Sequence, residues 1–352
     1  FVNRSGKPIL SIDVPSGVGS DSSEVLGAHV QATHTLQLAG AKLSSAFHPA
    51  KQAFGSWEVV DIGIPATITE SLSRLELLTD DLVKPWLPKR ESTAHKYSVG
   101  TVLVIAGSPR YLGAAELACR AAYRAGAGLV TLAAEARFSN SWPEIIFETL
   151  NWQDRPLETI QTISDTRSQT RVIGPGLSEN AHRFLPDLIR RGKMPTILDA
   201  GALIGDTIWT DAVREHGRCV VTPHYGEAAK LLRVRSEEVA RFPLESAHAI
   251  ARKLNAVVVL KGATSIITSP DERIFVSTRG HPGMATGGSG DVLSGCLGAW
   301  CAKTDNLFER VAATVYMHGL AGERVAGDYG SGLVASDLIE GFAKSWLELE
   351  NK

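Results

Sequence analysis

The sequence predicts an α/β fold with a mostly parallel central sheet, helices on both of its faces, and a partial α/β segment in front. Short apolar runs alternate with helix-like stretches, as where Gly100–Gly107 is followed by the alanine-rich stretch 114–126. Such runs are typical of parallel strands that are buried on both faces. Further strands of this pattern are predicted at residues 129–134, 171–174, 196–199, 219–222 and 256–261.

Three strand-like segments precede this pattern, at residues 8–15, 33–38 and 56–63. They are too few to build a complete α/β domain. A polar, proline-containing segment that ends at Arg90 marks the boundary. We therefore predict an incomplete unit over residues 1–68 and a large α/β domain over residues 80–348.

Composition gives little reason to expect a nucleic-acid or membrane partner, because the formal net charge is only -2. No apolar run approaches the ~18 residues that span a bilayer. The N-terminus lacks the apolar core of a signal peptide. The 4 cysteines form no C-x-x-C pair, which predicts reduced, buried thiols. Together these features predict a cytoplasmic protein.

The segment Gly283–Asp291, Gly-Met-Ala-Thr-Gly-Gly-Ser-Gly-Asp, carries the clearest chemical pattern. It directly precedes an apolar stretch that is typical of a helix. Glycines let backbone N–H groups face a ligand, and a helix N-terminus favours anions. The loop is not a Walker A motif, because no G-K-[ST] follows. We predict that Asp291 takes a proton from a hydroxyl nucleophile, beside an anion hole formed by Gly287, Gly288, Ser289 and Gly290.

Residues that follow predicted strands lie at the sheet edge where open α/β folds bind ligands, and here they are Gly107-Ser108, Gly174–Gly176, Asp199, Thr222–His224 and Lys261-Gly262. His224 can contact a ligand, or it can belong to a strand–helix turn in which Glu227 lies at the helix start. Lys261 can face phosphates, although a solvated lysine is the commoner outcome. The residues alone leave both choices open.

Taken in order, these segments resemble those of the NAD(P)H-hydrate dehydratase family, a branch of the ribokinase-like fold. The resemblance covers roughly residues 80–347, and the glycine-rich loop is its most specific part. One departure is Gly201, which stands where the family usually has an acid. The matching segments are His95-Lys96, Ala106–Ser108, Ile173–Leu177, Leu198–Ala200, Thr222–His224, Val259–Ala263, Gly280–Asp291, His318-Gly319 and Leu333–Asp337.

The resemblance implies a repair reaction in which water is removed from a hydrated nicotinamide cofactor at the cost of a nucleotide phosphoanhydride. Asp291 would deprotonate the C6 hydroxyl of the hydrate, which would attack the terminal phosphate of ADP. The resemblance also implies Mg²⁺ at the phosphates, ADP or ATP as donor, and a homo-oligomer such as a tetramer. The hydrate would contact Ala114, Gly176, His224 and Asp291, and the adenine nucleotide Lys261, Gly262, Ala263, Thr264, Ser265 and Gly290.

The front segment resembles the final part of an NAD(P)H-hydrate epimerase domain, which precedes the dehydratase in bifunctional repair enzymes. Its matching segments are Ile12–Gly17, Gly40–Lys42 and Asp61–Pro65. The resemblance implies that Asp13 contacts substrate and that Ser16 contacts a potassium ion. Because the earlier part of that domain is not in this sequence, we expect no epimerisation by this segment alone.

Two other functions are compatible with the same loops. A ribokinase-like kinase of a small alcohol would use the same anion hole and base, and would release a stable phosphate ester. A non-catalytic nucleotide-binding module would bind nucleotide without turnover. The departure at Gly201 favours that module, and the presence of Asp291 speaks against it.

Overall fold

The computed structural model describes residues 1–65, 67–68, 75–136, 142–271 and 273–352. Its strands form two sheets, one of three strands and one of ten. The strands are β1 (Leu10–Ile12), β2 (His34–Leu38), β3 (Ser56–Val60), β4 (Leu75–Leu77), β5 (Thr101–Ile105), β6 (Leu129–Ala134), β7 (Ile146–Thr149), β8 (Thr170–Ile173), β9 (Thr196–Leu198), β10 (Cys219–Val221), β11 (Val257–Leu260), β12 (Ser265–Thr268) and β13 (Ile274–Ser277).

The large sheet has the strand order β4-β13-β12-β11-β10-β9-β8-β5-β6-β7. Strand β12 runs antiparallel to β11 and β13, and the other pairs described in this sheet are parallel. The mostly parallel sheet predicted from the sequence is therefore confirmed. Because β4 pairs with β13, the sheet of the larger domain begins at Leu75, before the predicted boundary at residue 80.

Both faces of the large sheet are covered, because alternate residues of β5 enter two different hydrophobic cores. Val102 and Val104 pack in one core, whereas Leu103 and Ile105 pack in the other, and all four are buried. The first core is covered by helices Leu112–Arg124, Ser289–Trp300, Leu307–Tyr329 and Ala335–Asn351. The second is covered by helices Pro156–Asp165, Leu185–Arg190, Thr207–His216, Tyr225–Leu232, Ser236–Arg241 and Pro243–Leu254.

The front unit is a parallel sheet of order β1-β2-β3, with the short helix Leu43–Ala46 after β2. It contacts the larger domain at the turn between β11 and β12. There the Thr264 hydroxyl donates a hydrogen bond to the Ala46 carbonyl (2.5 Å), and Phe47 joins the second hydrophobic core. The front unit therefore packs directly against the Lys261–Ser265 turn.

All four cysteines are free and buried, as predicted. Among the residues that the structure describes, no helix combines the length and the apolar character needed to cross a bilayer.

Candidate active site

Three polar residues meet where neighbouring strands of the large sheet end. Asp199 follows β9, Thr222 follows β10 and Lys261 follows β11, so the sheet order brings the three side chains together. Oδ1 of Asp199 accepts hydrogen bonds from the Thr222 hydroxyl (2.8 Å) and from Nζ of Lys261 (2.6 Å). Its Oδ2 accepts one from the Ser294 hydroxyl (2.8 Å). Each oxygen of a carboxylate that is only 1% exposed thus accepts at least one hydrogen bond.

This cluster sets the charge of Lys261. Burial alone lowers the pKa of the Lys261 ammonium, but the carboxylates of Asp199, Glu227 and Asp291 outweigh burial and raise it above its usual value. Lys261 is therefore a permanent cation at the carboxyl edge of the sheet. The sequence places Asp199 and Thr222 among the residues that follow strands and are candidates for a ligand site, but it assigns neither of them a role and does not point to Ser294.

Asp291 lies beside this cluster and is an unusual carboxyl group. Burial, followed by repulsion from Asp199, raises its pKa to about 6, and Lys261 offsets part of this rise. A carboxylate with a pKa close to the working pH is suited to accept a proton during catalysis. The predicted base is thus placed within reach of a second carboxylate and of a fixed cation.

The glycine-rich loop leads straight into the helix Ser289–Trp300, so Asp291 lies in the first turn of the helix rather than before it. The helix begins earlier than the sequence predicts because Gly288 serves as its N-cap, with a φ of 96°. This left-handed φ favours glycine, and a Cβ at Gly288 would also lie 2.6 Å from Leu117 Cδ1. No side chain caps this helix, which leaves N–H groups of its first turn for a ligand.

His318 lies close to the Ser289 backbone at the end of this loop and is a further residue to which the motifs assign no role. It is 8% exposed, and burial lowers its pKa to about 4, with the Ser289 backbone acting in the opposite direction and Lys261 adding to the fall. Its imidazole is therefore neutral at physiological pH. A neutral ring supports the start of the helix without adding a competing charge beside Lys261.

His224 acts as the N-cap of the helix Tyr225–Leu232. Its Nδ1 accepts hydrogen bonds from the N–H groups of Gly226 (3.0 Å) and Glu227 (3.3 Å), and Glu227 Oε2 accepts from the His224 N–H (2.8 Å). The turn therefore has the capping arrangement, which is one of the two interpretations that the sequence leaves open. The His224 side chain is also 60% exposed, so the predicted contact with the hydrate stays a prediction.

The turn Lys261–Ser265 presents its residues in different directions. Gly262 and Ala263 are exposed, whereas Thr264 is buried with its hydroxyl bonded to Ala46. A nucleotide contact at Thr264 could therefore come only from its backbone. Ser265 begins β12, and the Lys261 side chain turns toward Asp199. The predicted nucleotide contacts of this turn stay predictions.

Ala114 and Gly176, two predicted hydrate contacts, lie next to each other. A Cβ at Gly176 would be 3.0 Å from that of Ala114 and 2.5 Å from the Tyr111 carbonyl, and the φ of Gly176 is 62°. The helix that carries Ala114 also supplies Leu117, which touches Gly288. The structure thus brings both residues to elements that border the glycine-rich loop.

Gly201, the departure from the family pattern, lies against the Gly174–Leu177 loop. A Cβ at this position would meet the Leu177 carbonyl at 2.9 Å and the Gly174 carbonyl at 3.2 Å. The Gly174–Leu177 loop thus occupies the space that a side chain at position 201 would need.

We expect the substitution Gly201→Asp to lower the free energy of unfolding by roughly 1–3 kcal/mol, because the loop must shift to make room. Thermal unfolding measures this change. Gly327→Asp is the control, since a Cβ at Gly327 meets nothing within 4 Å. Equal stability of the Gly201→Asp variant and the native chain would contradict the close packing of this loop.

In the front unit, Asp13 is held by Lys42. Lys42 Nζ lies 2.7 Å from Asp13 Oδ1, the Leu38 N–H donates to the same oxygen (3.0 Å), and the hydrogen bond from Lys42 lowers the Asp13 pKa. Ser16 is exposed. The roles of Asp13 in substrate contact and of Ser16 in potassium binding stay predictions.

Comparison with known proteins decides the family. A family model described as NAD(P)H-hydrate dehydratase matches residues 102–344, and one described as YjeF-related protein N-terminus matches residues 1–44. The chain belongs to the NAD(P)H-hydrate dehydratase family. It is also 34% identical over 359 residues to the bifunctional NAD(P)H-hydrate repair enzyme of Moorella thermoacetica. That match covers 97% of this chain and 67% of the relative, so the chain spans about two thirds of the relative's length.

Solved structures agree with the fold of this dehydratase family member. The ADP/ATP-dependent NAD(P)H-hydrate dehydratase of Bacillus subtilis, crystallised with ATP and Mg²⁺, superposes with a TM-score of 0.67 at 26% identity. That match covers 78% of this chain and 99% of the other. A ribokinase-like protein of Enterococcus faecalis gives a TM-score of 0.67 at 24% identity and covers 80% and 98%, respectively. The predicted ribokinase-like fold is therefore confirmed.

Proposed function

We propose that this chain removes water from (S)-NAD(P)H hydrate and restores NAD(P)H, while ADP is converted to AMP and phosphate. The observation that carries the proposal is the pairing of Asp291, whose pKa lies near 6, with the uncapped start of the helix Ser289–Trp300. A base and an anion site side by side are what phosphorylation of a hydroxyl requires. Membership of the dehydratase family supplies the substrate class.

In the proposed mechanism, Asp291 accepts the proton of the C6 hydroxyl of the hydrate as the hydroxyl oxygen attacks the terminal phosphorus of ADP. AMP leaves with the electrons of the broken phosphoanhydride bond. The lone pair of the ring nitrogen then expels the new phosphate from C6, and loss of a proton from C5 gives NAD(P)H. The two stages together remove one water from the hydrate and hydrolyse one phosphoanhydride.

Backbone N–H groups would stabilise the transferring phosphoryl group. Gly287 is exposed and has open space around its Cα, while Gly288 fixes the turn that aims the following N–H groups of Ser289 and Gly290. The positive end of the helix dipole adds to this field. We assign these four residues the role of the anion hole.

Lys261 would neutralise charge on the nucleotide phosphates. Its Nζ lies 3.3 Å from the position of a Cβ at Gly290, so the ammonium faces the anion hole. The bond to Asp199 keeps the flexible lysine stem in one position. Asp199 is thus a positioning residue for Lys261.

Magnesium would be held mainly by the nucleotide. Among the residues that the structure describes, no group of three or more His, Cys, Asp and Glu side chains could form a protein cage for a metal. Both oxygens of Asp199 also accept hydrogen bonds, from Lys261, Thr222 and Ser294. We propose that Mg²⁺ arrives on the phosphates, where it offsets their charge.

The rate of hydrate dehydration is expected to depend on pH through Asp291. The carboxyl must be ionised to accept a proton, so kcat/KM should fall about tenfold per pH unit below pH 6 and level off above it. A pH series of kcat/KM with saturating ADP measures this. A flat profile between about pH 5 and pH 7 would contradict the assignment of Asp291 as the base.

The substrate and donor can be tested together. We expect (S)-NADH hydrate incubated with ADP to give NADH, seen by its near-ultraviolet absorbance, together with AMP and free phosphate. ATP in place of ADP tests the donor, because the Bacillus subtilis relative is described as ADP/ATP-dependent. A stable phosphate ester would indicate a small-molecule kinase, and nucleotide binding without product would indicate a non-catalytic module.

A further inference from the structure

A cavity lies at the end of the large sheet opposite to Asp291. It has a volume of about 450 Å³ and is bordered by Val99 before β5, by Gly126 before β6 and by Trp300 at the end of the helix Ser289–Trp300. The helix rises about 1.5 Å per residue, so the cavity is about 13 Å along this helix from Asp291. It is therefore separate from the site described above, which lies at the carboxyl ends of the strands.

The walls of the cavity carry an excess of positive charge. Lys89, Arg90, Lys303 and Arg310 line it, with Glu91 as the acid among its lining residues. The carbonyl end of the helix Ser289–Trp300 opposes an anion here, but a helix end amounts to about half an elementary charge. The four cationic side chains outweigh the combined negative charge of this helix end and of Glu91. The cavity is thus an anion-attracting one.

Two donors in this wall lack an acceptor. Nη1 of Arg310 and Nε1 of Trp346 are buried, and neither has a hydrogen-bond partner among the described residues. Burial also lowers the pKa of the Arg310 guanidinium. Both atoms are shielded from solvent, so a ligand with acceptor oxygens would recover the cost of the unbonded N–H groups once these two side chains turn toward the cavity.

The size and the aromatic wall narrow the ligand class. A cavity of about 450 Å³ is large enough for a small metabolite. Trp300 and Trp346 pack edge to face, with ring centroids 5.4 Å apart, and both line the cavity. Arginine and lysine together favour phosphate oxygens, which accept several hydrogen bonds at once.

We infer that this cavity, lined by Lys89, Arg90, Lys303 and Arg310, binds a phosphate-bearing anion at the amino ends of the strands, and that Arg310 and Trp346 turn toward its oxygens to donate hydrogen bonds. Helix Ser289–Trp300 joins this site to the glycine-rich loop, because one end of the helix carries Asp291 and the other borders the cavity. The inference does not depend on the proposed dehydration, since it concerns binding alone.

Isothermal titration calorimetry with inorganic pyrophosphate tests it on the full chain. We expect the native chain to bind pyrophosphate and the Arg310→Met variant to bind it about tenfold more weakly, because one charged hydrogen bond is lost. Lys303→Met, at an exposed position where folding is not at risk, should weaken binding about threefold. Arg252→Met, at an exposed arginine outside the cavity, is the matched control and should leave binding unchanged.

Pyrophosphate could instead occupy the anion hole, and Lys261→Met separates the two sites. Retention of binding in Lys261→Met with loss in Arg310→Met supports the cavity. Loss in Lys261→Met with retention in Arg310→Met and Lys303→Met, or no binding to the native chain, overturns it. A second titration with AMP is made in the Lys261→Met variant, in which the proposed nucleotide site is weakened. If the cavity takes a phosphate that carries a ring, AMP should bind there more tightly than pyrophosphate, and adding Trp346→Leu should abolish that difference.

Discussion

The Asp291→Asn variant is expected to lose hydrate dehydration almost completely while becoming more stable. Without the base, kcat should fall by roughly 10²–10⁴-fold. The native carboxyl has its pKa raised to about 6, so the folded state resists its ionisation. The contribution of Asp291 to stability is therefore undiminished below about pH 4 and falls as the pH rises toward 6. An asparagine at position 291 cannot ionise, so the folded state no longer pays the free energy of holding a charged carboxylate there.

We expect Asp291→Asn to raise the free energy of unfolding by up to about 2 kcal/mol at pH 8 and to leave it unchanged near pH 4. Denaturant unfolding at the two pH values measures the difference. Asp328→Asn, at an exposed aspartate, is the control and should change neither activity nor its pH dependence. Near-normal turnover by the Asp291→Asn variant would exclude the proposed mechanism.

Substitution of Asp199 is expected to have the largest effect on stability. Asp199→Asn leaves the Lys261 ammonium inside the protein without its direct partner, 2.6 Å away in the native chain. Breaking a buried ion pair from one side costs roughly 3–5 kcal/mol. Thr222→Val, which removes one hydroxyl donor to the same carboxylate, should cost roughly 1.5–3 kcal/mol and serves as the matched comparison.

A double-mutant cycle shows whether the Asp199 effect comes from Lys261. If the pair is coupled, the Asp199→Asn and Lys261→Met double variant should be more stable than the sum of the single changes predicts. Denaturant unfolding of the four proteins gives the coupling energy. Additive effects would mean that Asp199 stabilises the fold independently of the lysine.

The large sheet could be predicted where strands are buried on both faces. Residues 101–105 and 219–221 are continuous apolar runs, and both lie in strands as expected. Strands β4 and β7 were missed, because they lie at the two edges of the sheet and each contains a polar residue amid few apolar ones. The antiparallel β12 was missed because the predicted pattern was of strands separated by helices. Only a short turn separates β12 from β11.

Glycine spacing and strand ends predict which residues lie near one another at the site. They do not predict the direction in which each side chain points. Asp291 and Lys261 come together as their positions suggest, since both lie at the carboxyl edge of the sheet. Thr264 turns inward because a carbonyl of the front unit, Ala46, accepts its hydrogen bond. No local pattern in residues 261–265 signals a partner more than two hundred residues away.

The fate of one oxygen atom tests the central claim most directly. When (S)-NADH hydrate labelled with ¹⁸O at its C6 hydroxyl is incubated with this chain and ADP, NADH should form and the label should appear in inorganic phosphate. That result requires the hydroxyl to attack phosphorus before the C–O bond breaks, as the geometry of Asp291 and the anion hole predicts. Label found in water, or NADH formed equally well without nucleotide, would contradict the account.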